Sequence, residues 1–228
     1  LSYSKLERSA WAMEGGGVPT YPAMSLLAVS SVEYVMTVEK VMPKVHSGED
    51  PTALQRYSDE QSHDLTNLVD LTRTQINACQ RKRVMCMITL DAHNRDIVHN
   101  FIHRDHVTDV KSFKWMSQLK LYFRKPYQSW VDRDSHLRGD HKGHVGARLE
   151  LGQLNAVLPY DYEYLGNGPR LVVTPLTDRI YVTATQALNL AMGCAPAGPA
   201  GTGKTESTKD LSNALAKLVY VLNCSPDM

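Results

Sequence analysis

The sequence is poor in cysteine, and no two cysteines are spaced as Cys-x-x-Cys. Cys79, Cys86, Cys194 and Cys224 are the four cysteines of the chain, and they lie far apart. Disulfide-rich secreted scaffolds need a denser framework, and zinc-ribbon sites need closely paired cysteines. We therefore expect reduced thiols in a cytoplasmic protein.

Neither sign of charge is in excess, and long hydrophobic runs are lacking. Lys and Arg number 25 and Asp and Glu 24, which gives a formal net charge of +1. No whole-molecule field then attracts nucleic acid or an anionic membrane, so neither is predicted as a partner. The most apolar stretch, residues 24–36, is too short and too rich in serine to cross a bilayer, and no signal-peptide pattern opens the chain.

Hydrophobic residues make up 43% of the sequence, which is enough to form one large buried core or two smaller ones. The first part, residues 1–158, is predicted to be mostly helical. Its apolar spacing favours a buried helix that ends near Pro43. Asp50 and Pro51 then resemble a helix start, and the apolar stripe that follows predicts one long helix through Cys79.

Further helical segments are predicted in the later part of this region. Apolar spacing favours helices at residues 96–106 and 109–123, and a short helical turn at 151–158. Between them, the composition of residues 125–146 is rich in Pro, Gly, Asp, Arg and His, which indicates an exposed loop.

The composition of the sequence changes near residue 159, and residues 159–228 form a second region. Tyr, Leu and Val surround a Gly-Asn-Gly-Pro turn, so residues 162–174 predict strand, turn and strand. Thr177 or Asp178 is expected to cap the helix that follows, and residues 219–224 predict another strand. The fold class is therefore predicted to be α+β overall, a mostly helical region followed by the opening of an α/β domain.

The sequence GPAGTGKT at residues 198–205 fits the phosphate-binding pattern G-x-x-x-x-G-K-[S/T]. Glycines permit a turn that points backbone amides inward, and the N-terminus of the following helix adds positive potential. The lysine is placed to contact the β- and γ-phosphates, and the threonine hydroxyl to coordinate Mg²⁺. The residues predicted to bind ATP or ADP are Gly198, Pro199, Ala200, Gly201, Thr202, Gly203, Lys204 and Thr205, with Thr205 as the Mg²⁺ ligand.

The segment before the loop, GCAPAG at residues 193–198, is unusual for the strand that a P-loop fold needs there. Pro196 cannot donate to a sheet ladder, which argues against a central strand. The alternative is a chance glycine-rich turn. An amphipathic helix with Leu211 and Leu215 follows directly, and a β-rich segment follows that helix, so nucleotide binding is favoured.

The proline-bearing segment also makes the pattern specific. The sequence of residues 170–211, RLVVTPLTDRIYVTATQALNLAMGCAPAGPAGTGKTESTKDL, resembles the start of the first AAA+ module of dynein heavy chains. Upstream, DYEYLGN at residues 161–167 is similar to that family's lead-in to the module. The run APAGPAGTGKTESTKDL is more similar to axonemal than to cytoplasmic dyneins.

The helical region carries a second part of the resemblance. ITLDAHNRDIV at residues 88–98 and VTDVKSFKWMSQLKLYF at residues 107–123 resemble the C-terminal part of the dynein linker. The similarity is close over residues 86–123 and 160–224, whereas residues 124–158 depart from the usual spacing of the family.

The resemblance implies a fragment of a microtubule motor. Residues 1–158 would be the C-terminal part of the helical linker, and residues 159–228 the truncated N-terminal portion of an AAA+ P-loop domain, the principal ATPase of the motor. Implied partners are the remaining AAA+ modules, dynein intermediate and light chains, and microtubules through other parts of the heavy chain. The implied location is the cytoplasmic cytoskeleton, in the axoneme of a cilium or flagellum. Pro175, Leu176 and Thr177 resemble the segment that lines the adenine end of the pocket.

Hydrolysis of ATP needs more than a phosphate loop. An acidic pair on a later strand must hold Mg²⁺ and orient water, and an arginine from a neighbouring module must stabilise the transition state. The sequence offers neither, so no catalytic residue is assigned and the chain alone is expected to bind nucleotide without efficient turnover. The alternatives are a non-catalytic nucleotide-binding regulatory or scaffold protein and another P-loop NTPase, such as a small kinase.

Three histidines form a candidate metal site of a different kind. His99, His103 and His106 are spaced so that one helical face would present them together. No acidic or cysteine ligand completes the set, and a solvated polar face is favoured.

Overall fold

The structure is a computed structural model that describes residues 22–124, 147–166, 171–199 and 201–222. Three long helices come first, followed by a short helix, a small sheet and two further helices. The elements are α1 (Ala23–His46), α2 (Ala53–Thr72), α3 (Ala78–His103), α4 (Phe113–Met116), β1 (Lys120–Arg124), β2 (Arg148–Gln153), β3 (Ala156–Pro159), α5 (Pro175–Asn189) and α6 (Lys204–Ala214). None of the helices in these ranges has the length and apolar character needed to cross a membrane.

The first helix continues past the proline that was expected to end it. α1 runs to His46 and contains Pro43 in its last turn. The carbonyl of Pro43 still accepts a hydrogen bond from the Ser47 amide at 2.9 Å, so the helix loses the proline's own donor without losing its last turn. Its inward face carries Val35, Val38 and other buried apolar residues.

The prediction of one long helix through Cys79 is wrong, because α2 ends at Thr72 and a separate helix, α3, begins at Ala78. Asn77 caps the new helix: its side chain accepts from the Gln80 amide at 2.9 Å, and the Gln80 side chain accepts from the Asn77 amide at 3.0 Å. This reciprocal capping box satisfies two backbone donors that a helix start leaves unpaired. The break folds α3 back on α2, and α3 covers residues 96–103 of the helix expected at residues 96–106, which therefore ends three residues earlier than predicted.

The helices predicted at residues 109–123 and 151–158 are also wrong. Only α4 is helical in the first of these, and β1 follows it directly. In the second, β2 and β3 form a hairpin in which Leu151 pairs with Leu158 across the strands. Leu158 follows Leu151 by seven positions. This spacing is compatible with two turns of a helix, and equally with a tight hairpin in which both side chains face one core. The sheet is antiparallel in the order β1-β2-β3. The loop predicted at residues 125–146 lies outside the described residues.

Three apolar clusters hold these elements together. Two of them lie among the long helices, one around Met87 and the other around Trp115. The third combines residues of the sheet, α5 and α6, with α1 packed against it. Its buried members are Leu121, Leu151, Leu158, Tyr160, Tyr181, Ala184, Leu211, Leu215 and Ala216. The helical part and the later helices therefore share one hydrophobic core.

A charged residue pair lies between α1 and the sheet. The Glu39 carboxylate accepts from Tyr122 Oη at 2.7 Å and from Trp115 Nε1 at 3.3 Å. The Lys120 ammonium lies 5.0 Å from the centre of the Trp115 ring. Burial lowers the pKa of Lys120 from its ordinary value, although the negative charge of Glu39 acts in the opposite direction.

Gln153, the last residue of β2, lies beside the turn of the hairpin and is only 2% exposed. Its Nε2 donates to the Ser117 carbonyl at 2.8 Å, and its Oε1 accepts from Thr185 Oγ1 at 2.8 Å. Its backbone carbonyl accepts from Gln186 Nε2 at 2.9 Å. One residue thus joins the segment before β1, the hairpin and α5.

We predict that Q153L lowers the free energy of unfolding by about 1–3 kcal/mol, because it keeps the size of the side chain and leaves the Ser117 carbonyl without this partner. Urea unfolding followed by circular dichroism measures the change. The control is Q118L, since the bond that the structure shows for the Gln118 side chain, to the Lys114 carbonyl at 3.3 Å, is within its own turn. Equal losses in both variants would contradict the role given to Gln153.

The Lys120 pKa predicts a pH dependence. Because the folded-state pKa is lowered, the unfolded chain binds more protons between that value and the ordinary 10.5, so this residue makes stability rise with pH in that window. K120M, which keeps the apolar stem, should lack this rise. Urea unfolding of both proteins at several alkaline pH values tests it, and parallel stability profiles would contradict it.

Candidate functional site

The glycine-rich loop leads directly into α6, as its sequence predicts. Gly201 and Gly203 have φ values of 77° and 78°, a region that glycine occupies without steric cost. Gly203 is the N-cap of α6, and its carbonyl accepts from the Ser207 amide at 2.9 Å. The backbone therefore makes the turn that a phosphate-binding loop requires, and the positive end of the helix dipole faces the loop. Ala200, a predicted loop residue, lies outside the described residues.

Lys204, the first residue of α6, extends its side chain back over the loop. Its Nζ donates to the carbonyl of Gly198 at 2.9 Å, to the carbonyl of Pro199 and to Thr202 Oγ1 at 3.2 Å. These three partners are uncharged oxygens. The ammonium is thus held against the loop by neutral oxygens, and a phosphate oxygen would be a more strongly bound partner.

The neighbouring hydroxyls have different environments. Thr202 Oγ1 donates to the Pro199 carbonyl at 2.9 Å, so this side chain stabilises the loop itself. Thr205 is exposed in the first turn of α6, next to Lys204. Its hydroxyl is accessible to a metal ion, and hydroxyl oxygen is a suitable Mg²⁺ ligand.

The strands expected on either side of this loop and helix are not formed. Residues 193–198 and the described part of the other predicted strand, residues 219–222, have no strand conformation. Tyr220 and Leu222 are each 81% exposed. A strand needs a neighbour for its backbone donors and acceptors, and neither segment pairs with another among the described residues. The same holds for the two strands predicted around the Gly-Asn-Gly-Pro turn, whose residues 167–170 lie outside the described ranges.

The segment expected at the adenine end begins α5. Thr174, and not Thr177 or Asp178, is the N-cap, and Thr177 completes the capping box. Thr177 is buried and its hydroxyl donates to the Thr174 carbonyl at 2.9 Å, whereas the neighbouring Leu176 is 61% exposed. Burial raises the pKa of Asp178 in the same turn. Pro175 is the first residue of the helix, where its missing amide hydrogen is tolerated.

One carboxylate joins the two helices of this site. Asp210 on α6 accepts from Tyr181 Oη of α5 at 2.7 Å and from the Leu171 amide at 3.4 Å. No distinctive sequence pattern marks Asp210, Tyr181 or Leu171. The only signal was an acidic residue immediately before the inward-facing Leu211, which is too common a pattern to assign a role.

The histidine trio does not form one helical face. α3 ends at His103, and His106 lies beyond it with a φ of 48°. The His99 and His103 rings lie 4.4 Å apart. No group of three or more potential metal ligands occurs in the part of the chain that the structure describes. Among the same residues, Cys79, Cys86 and Cys194 are not joined in disulfides.

Residues 160–228 match the protein family described as "Hydrolytic ATP binding site of dynein motor region". This match begins next to the boundary predicted from the change in sequence texture. It includes the glycine-rich loop, α5 and α6, and therefore every residue of the candidate site.

Similarity to individual dyneins extends over the whole chain. The dynein alpha chain of the flagellar outer arm from Chlamydomonas reinhardtii is 43% identical over 99% of this chain. The ciliary dynein beta chain of Tripneustes gratilla is 37% identical and human dynein axonemal heavy chain 17 is 38% identical, each over 100% of this chain. The chain spans only about 4% of the length of these relatives. The resemblance seen in the sequence is confirmed: the chain belongs to the dynein heavy-chain family.

Proposed function

We propose that this chain is the ATP-binding segment of an axonemal dynein motor and that residues 198–205 hold the phosphates of ATP or ADP with Mg²⁺. The observation that carries the proposal is the position of Lys204, whose ammonium lies over a left-handed glycine turn at the start of a helix. A phosphate oxygen there gains a charge-assisted hydrogen bond and the favourable end of the helix dipole. The exposed hydroxyl of Thr205 supplies the Mg²⁺ ligand.

The base of the nucleotide is assigned to the start of α5. Pro175, Leu176 and Thr177 resemble the segment that lines the adenine end of the pocket in the family, and the exposed side chain of Leu176 supports the assignment as a suitable apolar surface. Thr177 contributes by capping the helix, because its hydroxyl is already bonded to the Thr174 carbonyl.

We further propose that the chain couples nucleotide binding to movement of the linker. In this assignment residues 1–158 are the C-terminal part of the linker and residues 159–228 the start of the first AAA+ module. The shared core and the bonds of Gln153 to α5 support the proposal, because they connect the two parts rigidly. Thr185 and Tyr181 lie one turn apart on α5, so the helix contacts the hairpin and α6 along one side.

The names of the relatives support a location and a set of partners. They are flagellar, ciliary and axonemal dynein chains, so we assign this chain to the axoneme of a cilium or flagellum. The proposed partners are the other AAA+ modules of a heavy chain, intermediate and light chains, and microtubules. The resemblance to the family supports these partners.

Substitution of the loop lysine tests the phosphate site. K204A should weaken binding of a fluorescent ATP analogue at least about tenfold, because it removes a charge-assisted bond to phosphate. The matched control is K209A, which removes a lysine of the same helix that pairs with Glu206 at 2.8 Å. Fluorescence anisotropy with the 228-residue chain measures both. Equal affinity in K204A and the unsubstituted chain would overturn the phosphate-site assignment.

Substitution of the adjacent threonine tests the Mg²⁺ site. Mg²⁺ should strengthen ATP binding by the unsubstituted chain, and T205A should lose most of that enhancement because it lacks the ligand hydroxyl. Calorimetric titration with ATP, in Mg²⁺ and in EDTA, separates the metal effect from the phosphate contacts. T205S, which retains the hydroxyl, is the control and should keep the enhancement. An undiminished Mg²⁺ effect in T205A would contradict the assignment.

A further inference from the structure

Asp210 connects three segments that surround the candidate nucleotide site. It lies on α6, the helix that begins at the phosphate loop, and accepts hydrogen bonds from Tyr181 of α5 and from the Leu171 amide. Tyr181 is buried, and its ring is part of the same apolar cluster as Leu211. The carboxylate is therefore held in place by packing as well as by its two donors.

The contact lies at the same depth in both helices. Tyr181 is six residues after Pro175, and Asp210 is six residues after Lys204. At a rise of 1.5 Å per residue, each is ~9 Å from the start of its helix. Because a helix is stiff over that length, the contact restrains the spacing of the two helix starts.

The segment that Asp210 holds presents an apolar surface. Val172, next to Leu171, is 71% exposed, and Leu176 is 61% exposed. Adenine binds to such surfaces with its flat faces, whereas the phosphates need the loop at the start of α6. A nucleotide contacts both places at once and so depends on their spacing, while an inorganic polyphosphate contacts only the loop.

We propose that Asp210 is a positioning residue that sets the spacing between the base-binding segment, residues 171–176, and the phosphate loop. The proposal rests on the proposed function, since it concerns the same nucleotide site. Tyr181 acts with it by donating to the carboxylate from the middle of α5. The pair selects for ligands in which base and phosphates are joined.

The test compares ATP with inorganic tripolyphosphate, each titrated calorimetrically in Mg²⁺ into the 228-residue chain. D210N replaces one acceptor oxygen with a donor group, and Y181F removes one hydroxyl while keeping the buried ring. Both variants should lose about tenfold in affinity for ATP and keep their affinity for tripolyphosphate within about twofold. Circular dichroism establishes that each variant is folded, and Y181F decides the test if D210N is not.

D161N is the matched control. It makes the same change of charge and removes the ion pair of Asp161 with Lys217, 2.8 Å long, at the other end of α6. Its ratio of ATP to tripolyphosphate affinity should equal that of the unsubstituted chain. An unchanged ratio in Y181F and in folded D210N would overturn the proposal, because Asp210 would then support the helix without setting the spacing.

Titrations of the unsubstituted chain distinguish a failure of this inference from a failure of the proposed function. Tight binding of tripolyphosphate with no additional affinity for ATP would support phosphate binding by the loop. It would overturn the assignment of residues 171–176 as the base-binding segment, and with it the role of Asp210. Binding of neither ligand would overturn the proposed function itself.

Discussion

The arrangement of this chain depends on one buried amide. Gln153 bonds to the Ser117 carbonyl and to Thr185, and its backbone carbonyl bonds to Gln186. A buried polar side chain is costly unless its donors and acceptors are paired, so these bonds allow few other placements of the hairpin against α5. The apolar residues around it supply most of the favourable free energy, but they are less directional than the hydrogen bonds. The amide thus defines how the helical part meets the helices of the nucleotide site.

Two helices, α5 and α6, connect the Gln153 contact to the glycine-rich loop. α5 bonds to the hairpin through Thr185 and to α6 through Tyr181, and α6 begins at Lys204. The two hydrogen bonds are short, at 2.8 Å and 2.7 Å, and Tyr181 also belongs to the apolar cluster that includes Leu211. In the proposed function, this path is the physical means by which the position of the helical part influences a bound nucleotide, and the reverse. The polar residues that form this path lie away from the glycine-rich loop, because they join one element to the next and do not belong to the loop itself.

The loop was the most predictable part, and the sheet the least. Gly201, Gly203 and Lys204 act through local geometry, so their spacing was sufficient to predict both the turn and the helix after it. Leu151 and Leu158 were misassigned because their separation fits a helix and a hairpin alike, and only the partner strand distinguishes the two. Long-range bonds such as that between Tyr181 and Asp210 join residues with no local relation, and no spacing rule reveals them.

The sequence by itself determined the glycine turn and the helix after it, the α+β class and the family, because these follow from short motifs and from local patterns of neighbouring residues. The tertiary structure alone decided where the long helix breaks, which segments pair as strands, and how α5 joins the hairpin to α6. The difference has a physical reason. A glycine turn or a helix cap is stabilised within a few residues, whereas a strand or a buried side chain is stabilised by partners distant in sequence.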